Sequence, residues 1–167
     1  MFGEVPKGDR HLWELYKTDV EIVLVHPEIP FNTGNIARTC ISTQTTLHLI
    51  KPLGFSIDDK DVKRAGLDYW KDVNLQVHEH WENFLSSPSG QKPMFLFSRF
   101  AEKVYWDATF TSDAVLVFGS ETRGLPDSIK KENPDQIYRI PTPGPVRSLN
   151  LSTSVGIVLF EALRQVR

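Results

Sequence analysis

A single cysteine, Cys40, is all the thiol chemistry this chain has. One cysteine cannot form an internal disulfide, and the scarcity fits a cytoplasmic, reducing compartment. Cys40 itself reads as a small apolar filler on a helix. Long apolar runs are missing too. None approaches the roughly 20 residues of a bilayer span, so no membrane is expected as a partner. Residues 1–19 carry Glu4, Asp9 and Glu14 and lack a signal-peptide core. Charge excess is small, a formal −2. That excludes a polycation gripping nucleic acid over its whole surface; such a partner would be held by local basic clusters and by shape. Clusters stand at Lys60/Lys63/Arg64, Arg99/Lys103 and Lys130/Lys131, and read first as solvated surface charge. His78-Glu79-His80 lacks the further ligands of a metal site, so no metal is expected. There is no P-loop, no GxGxxG fingerprint after a strand and no Gly-x-Ser-x-Gly elbow. With neither repeats nor low-complexity tracts, the 167 residues read as one domain, 20–167, behind a leading arm, 1–19.

What is present is an alternation of strand-like and helix-like segments. Glu21–Val25, Thr46–Ile50, Leu75–His78, Met94–Phe97, 114–118 and 137–140 are short, apolar and rich in β-branched or aromatic residues. The near-continuous apolar character of 94–97 and 114–118 is that of strands covered on both faces. Helices are expected from Asn32 onward, over 58–65, 80–85 and 125–130, and from Leu149 to the end, where Leu151, Val155, Val158, Leu159, Ala162 and Val166 form one stripe. The pattern predicts an α/β fold with a mostly parallel sheet.

Three polar loops follow strands, and each has the chemistry of a ligand site. The first is Asn32-Thr33-Gly34-Asn35, with Arg38 one helical turn beyond Asn35. Gly34 suits a tight turn and the asparagines suit an N-cap. Arginine near a helix N-terminus opposes the helix dipole, and a local rule broken beside a polar loop points to function, the alternative being a structural ion pair with an acidic neighbour. The second, 118–126, holds Glu121 and Arg123 between Gly119 and Gly124. Gly119 admits close backbone approach by a ligand, while Arg123 either binds phosphate or pairs with Glu121. The third, 140–152, is stiffened by Pro141, Pro143 and Pro145 and delivers Arg147, Ser148 and Asn150 to the last helix, with Ser148 a simple N-cap or an anion ligand. Trp13, Tyr16, Trp70, Trp81 and Trp106 could stack on bases, although aromatic residues serve cores and interfaces more often.

In this order, the three loops resemble the motifs of the SPOUT (trefoil-knot) RNA 2′-O-methyltransferases, and in particular the TrmL (YibK/CspR-like) tRNA wobble-nucleoside methyltransferases. The stretch Lys51-Pro52-Leu53-Gly54-Phe55, with Asp59-Lys60 and 64–69 (Arg-Ala-Gly-Leu-Asp-Tyr), is similar to that subfamily as well. The resemblance covers about 21–167 and implies a C-terminal trefoil knot over roughly 114–167. It implies S-adenosyl-L-methionine as methyl donor, S-adenosylhomocysteine as product, and cofactor contacts at Phe97, Gly119, Ile140 and Ser148. It also implies a homodimer, built on the last helix and the Asn32 helix, in which Arg38 completes the partner's site. The implied substrate is the anticodon stem-loop of tRNA, methylated on the ribose 2′-hydroxyl of the wobble nucleotide, a cytidine or carboxymethylaminomethyluridine, in leucine isoacceptors.

Arg38 matches the family's arginine at that hydroxyl. Because a guanidinium stays protonated, its expected role is to stabilise the developing alkoxide, or to fix a phosphate that helps take the proton, rather than to act as a base. Asn32, Asn35, Glu121, Arg123, Ser148 and Asn150 would shape the site. Two positions depart from the pattern: Phe31 replaces a frequent proline, and Phe160 replaces a tyrosine in the last helix. Methylation of another tRNA or ribosomal RNA site is the enzymatic alternative, and a catalytically silent RNA- or cofactor-binding module is the non-enzymatic one.

Overall fold

Strand formation follows β-branched and aromatic content closely. The computed structural model describes residues 18–58, 60, 64 and 67–166. Seven strands are present among them: β1 (Glu21–Val25), β2 (Thr46–Ile50), β3 (Leu75–His78), β4 (Met94–Phe97), β5 (Lys103–Val104), β6 (Val115–Phe118) and β7 (Ile137–Arg139). They form one sheet in the order β3-β2-β1-β6-β4-β7-β5, and every paired neighbour is parallel. The parallel α/β expectation is met. β5 was not anticipated; two residues are too few for a periodicity to show.

Alternate side chains leave the sheet on opposite faces and meet separate helical layers. Helices α1 (Pro30–Thr43) and α4 (Leu151–Val166) cover one face, where Ile36, Ala37, Cys40, Val155, Val158 and Leu159 pack on Ile22, Leu24, Leu47, Leu116 and Phe118. Helices α2 (Trp81–Leu85) and α3 (Asp127–Glu132) cover the other, with Trp81, Phe84 and Ile129 against Val23, Val25, Ile50, Leu96 and Val117. Burial pushes the Cys40 thiol up to about 12, so it behaves as the inert filler its neighbours suggested. Of the helix expected over 58–65 only Asp58, Lys60 and Arg64 are described, the last two helical, and most of the leading arm lies outside the described residues.

Helix boundaries correct the sequence reading at two places. α1 begins at Pro30, the preferred first-turn position for proline, so Asn32, Gly34 and Asn35 lie inside the helix instead of forming a turn and cap before it. α4 begins at Leu151, and its cap is Asn150, whose Oδ1 accepts from the Ser152 N–H (2.9 Å) and the Thr153 N–H (3.3 Å). Ser148 is therefore not the N-cap.

The sheet also has an unusual crossing. β7 pairs with β4 on one side and β5 on the other, although β4 and β5 are consecutive in the chain. The short link 98–102 therefore crosses β7, and the Ser98 N–H donates to the Tyr138 carbonyl at 2.9 Å.

A buried polar relay runs across β1, β2 and β3. His48 is fully buried and its Nε2 lies 3.0 Å from Glu21 Oε2, while its Nδ1 lies 3.0 Å from His78 Nε2. The ionised carboxylate only accepts, so His48 donates from Nε2 and accepts at Nδ1 from His78. Lys92 Nζ donates to the other Glu21 oxygen at 2.8 Å. Burial alone pushes the Glu21 carboxyl up, but hydrogen bonds from His48, Lys92 and Ser89 outweigh it and hold it at about 2, against 4.5 when free. Burial, then the His48 ring, pushes His78 below its usual 6.5. Both groups bind protons more readily unfolded, so both withdraw stability as pH falls: His78 from about 6.5 downward, Glu21 between 4.5 and about 2. The Glu21 share amounts to about 3 kcal/mol. Urea midpoints of the wild type are expected to fall through both windows, with the lower one flattened in Glu21→Gln. Parallel profiles for the two proteins would overturn this.

Candidate active site

The chain reverses its direction across the sheet around β1 and β6, and parallel α/β sheets open a crevice at the carboxyl ends of strands at such a point. Here the loops after β1, β4, β6 and β7 enclose a cleft of about 610 Å³. Its apolar side includes Phe97 and Phe118, stacked with ring centroids 4.8 Å apart. Asn32, Phe97, Gly119, Glu121, Arg123, Ile140, Ser148 and Asn150 all line it; Asn35 and Arg38 do not, and both side chains lie on the exposed side of α1.

The first, second and third loops are tied together by side chains far apart in sequence. Glu121 accepts from the backbone N–H groups of Glu28 (2.7 Å) and Ile29 (3.1 Å) and from Asn32 Nδ2 (3.2 Å). Asn32, 5 % exposed, in turn accepts from Asn150 Nδ2 at 2.9 Å. Glu28 returns the contact: its carboxylate accepts from the Thr122 N–H (3.0 Å) and hydroxyl (2.8 Å). α1 has no acidic residue in its own first turn and no side-chain cap within its own segment. The Glu121 carboxylate supplies that negative charge from across the cleft, where it opposes the partial positive end of the helix. Because that carboxylate is directed to the first loop, the Glu121–Arg123 pair weighed as a lock for the turn is not formed among the described residues.

Gly119 has a sharper reason to be glycine than ligand approach. A Cβ there would lie 2.0 Å from the Gly124 carbonyl carbon and 2.1 Å from the Leu125 nitrogen. The loop folds back on itself through Ser120 and Gly124, which exchange backbone hydrogen bonds (3.2 and 2.9 Å), and Gly124 takes φ +67°. The Arg123 N–H is held by Ser120 Oγ at 3.2 Å, which leaves its exposed side chain at the cleft.

Sequence reasoning missed several lining or supporting residues. Glu28 precedes the first loop and Thr122 lies within the second, but their mutual contact spans 94 positions and leaves no local pattern. Lys130, set aside as surface charge, lines the cleft while bonded to Asp127 at 3.0 Å. Phe100 was overlooked. Of the tryptophans considered for stacking, Trp81 is buried, and Trp106 is exposed in an adjoining pocket that shares Ile140, Thr142 and Leu149 with this cleft. His78 serves the relay with His48. Trp13 and Tyr16 lie outside the described residues.

Comparison with known proteins bears on the same loops. The SpoU rRNA Methylase family matches residues 19–160. A tRNA (cytidine(34)-2'-O)-methyltransferase of Methylovorus glucosotrophus is 49 % identical over 146 residues, covering 87 % of this chain and 94 % of that protein. A solved structure concerned with 2-OH methylation of C/U34 on tRNA superposes with a TM-score of 0.84 at 43 % identity, covering 89 % of this chain and 96 % of the other. The AviRb SpoU methyltransferase of Streptomyces viridochromogenes, solved with AdoMet, shares the fold at a TM-score of 0.76 and 21 % identity, covering 89 % of this chain and 58 % of its own. Matched along almost all of its described length, with its three polar loops gathered at one cleft, the chain belongs to the SpoU rRNA methylase family.

Proposed function

We propose that this protein transfers a methyl group from S-adenosyl-L-methionine to the ribose 2′-hydroxyl of the wobble nucleotide in a tRNA anticodon loop. The observation that carries the reading is the hydrogen-bonded chain Glu121–Asn32–Asn150, which draws three separate loops onto one cleft. Relatives named for wobble-cytidine methylation support the substrate.

The cleft suits the donor. It has the volume of a small-molecule site, an apolar wall that includes the stacked rings of Phe97 and Phe118, and polar loop edges at Gly119, Ile140 and Ser148. When bound, S-adenosylmethionine supplies an electrophilic methyl group and leaves as S-adenosylhomocysteine. The protein's own task is to orient the hydroxyl and stabilise the negative charge that grows on it. Asn32 and Asn150 fix each other and hold the cleft wall. Arg38, permanently cationic, supplies the stabilising charge without taking the proton.

Arg38 lies outside the lining of its own chain's cleft, which supports its serving a second copy. α1 and α4 pack on the same face of the sheet and carry exposed Phe31 (46 %) and Phe160 (54 %), an apolar surface suited to a homodimer. The reading includes a knotted path over 114–167, supported by the link 98–102 crossing β7, and a cytoplasmic location.

Purified protein, labelled S-adenosylmethionine and unmodified tRNA are expected to place label on a wobble ribose. Arg38→Ala is expected to lower the rate about 10²- to 10³-fold with donor affinity retained. Mixing equal amounts of Arg38→Ala with a cleft variant, Asn150→Ala, and allowing subunits to exchange should restore about a quarter of wild-type activity, because half the dimers would hold one intact composite site. Absence of any recovery despite exchange would place Arg38 in its own chain's site.

A further inference from the structure

Around the cleft, side chains of one charge predominate on a protein whose overall charge is −2. Arg99, Arg123, Arg147 and the Asp127-paired Lys130 line it, and Glu121 is the only acidic residue among the described lining residues. The Glu121 carboxylate is already engaged by two backbone N–H groups and Asn32. S-adenosylmethionine carries a sulfonium, an ammonium and a carboxylate, a net positive charge, so it does not call for such a cluster. A phosphodiester backbone does.

At the rim of this cationic cleft stands Phe100, 73 % exposed, more than any other large hydrophobic residue among those described. Its position is built. The Phe100 N–H donates to Ser98 Oγ (3.3 Å), the Ala101 N–H donates to the Ser98 carbonyl (3.1 Å), and the turn they form sits on the link that crosses β7. The Arg99 guanidinium lies over the ring, 4.3 Å from its centroid. The same guanidinium donates through Nη1 to the Arg147 carbonyl at 3.4 Å, joining the link to the third loop. One ring face is thus backed by a cation, while most of the residue remains open to solvent. Single-stranded nucleic acid is recognised through aromatic faces of this kind placed beside cations.

We propose that Phe100, backed by Arg99, is the stacking platform for a base next to the methylated nucleotide, with Arg123, Lys130 and Arg147 holding the neighbouring phosphates. This rests on the RNA-methyltransferase reading and deepens it by assigning the residues that present the RNA. It also explains why an aromatic side chain is left exposed on a turn that is otherwise hydrogen-bonded.

An anticodon stem-loop with 2-aminopurine beside the wobble position tests the contact by fluorescence in the presence of S-adenosylhomocysteine, independently of turnover. Wild-type protein is expected to quench the probe. Phe100→Ala should bind the RNA about tenfold more weakly without that quenching, and Phe100→Trp should restore both. In methylation assays Phe100→Ala should raise the KM for RNA by the same factor, with kcat within about twofold and donor affinity unchanged. Unchanged RNA affinity in Phe100→Ala, a Phe100→Trp no better than alanine, or a Phe100→Ala that alters the sedimentation of the protein alone would each overturn the platform. Wild-type protein that quenches the probe but transfers no methyl group would leave the platform standing and sink the methyltransferase reading.

Discussion

Gly119→Ala is expected to leave almost no folded, donor-binding protein. The added methyl group would be placed 2.0 to 2.4 Å from three backbone atoms of Gly124 and Leu125. Backbone atoms cannot rotate away as the tip of a side chain can. Relief therefore requires opening the loop that Ser120 and Gly124 close, and with it the wall carrying Glu121 and Arg123. A loss of about 4 kcal/mol or more is expected, in the range reserved for steric or buried-charge defects. Gly144→Ala is the matched control, since nothing lies within 4 Å of a Cβ there; its effect should stay within about 0.5 kcal/mol. Urea unfolding and calorimetric titration with S-adenosylhomocysteine read both variants. A Gly119→Ala protein with a wild-type midpoint would show that the return of this loop is not needed for folding.

Glu121→Ala comes next in size. It removes the acceptor for two backbone N–H groups at the start of α1 and for Asn32, and releases Asn32 from its fixed relation to Asn150. Hydrogen bonds to a charged group contribute about 1.5–3 kcal/mol each where water cannot substitute. Partial solvent access at this site reduces the total to about 3 kcal/mol, or roughly 10 °C in Tm. Methyl transfer should fall about 100-fold, because misplacing a site wall by an ångström has that scale of effect. Glu121→Gln keeps one acceptor oxygen and should be intermediate. Hydrogen exchange separates positioning from direct catalysis: the Glu28 and Ile29 amides should exchange much faster in Glu121→Ala. If they stay protected and Tm holds while activity disappears, the carboxylate acts on the reacting atoms instead of on the loop.

These two residues also mark how far reading along the chain could reach. Gly119 was recognisable as a special glycine, since it ends an apolar strand and opens a polar loop. Its partner, the returning backbone at Gly124 and Leu125, was not, because sequence carries no coordinates for a close approach. Glu121 was recognisable as a candidate in the second loop, yet its work as the cap of α1 was hidden. That contact spans 92 positions, and local capping rules look only three or four residues ahead. The same limit explains the Asn32–Asn35 segment. Its composition suits a turn and a cap, but Pro30 and a distant carboxylate let the helix begin earlier and take Asn32 into its first turn.

Six of the seven strands among the described residues, the two-faced burial of the sheet and the three polar loops that meet at the cleft were legible from periodicity and loop chemistry, because strand alternation and turn residues are local properties of the chain. Local pattern did not show β5, the crossing of β7, the relay Glu21–His48–His78, the placement of Arg38 outside its own cleft, or the exposure of Phe100 at the rim. Each of these is a relation between segments brought together by packing. The Asn32–Asn150 hydrogen bond joins residues 118 positions apart, and only the order of strands in the sheet sets such residues side by side.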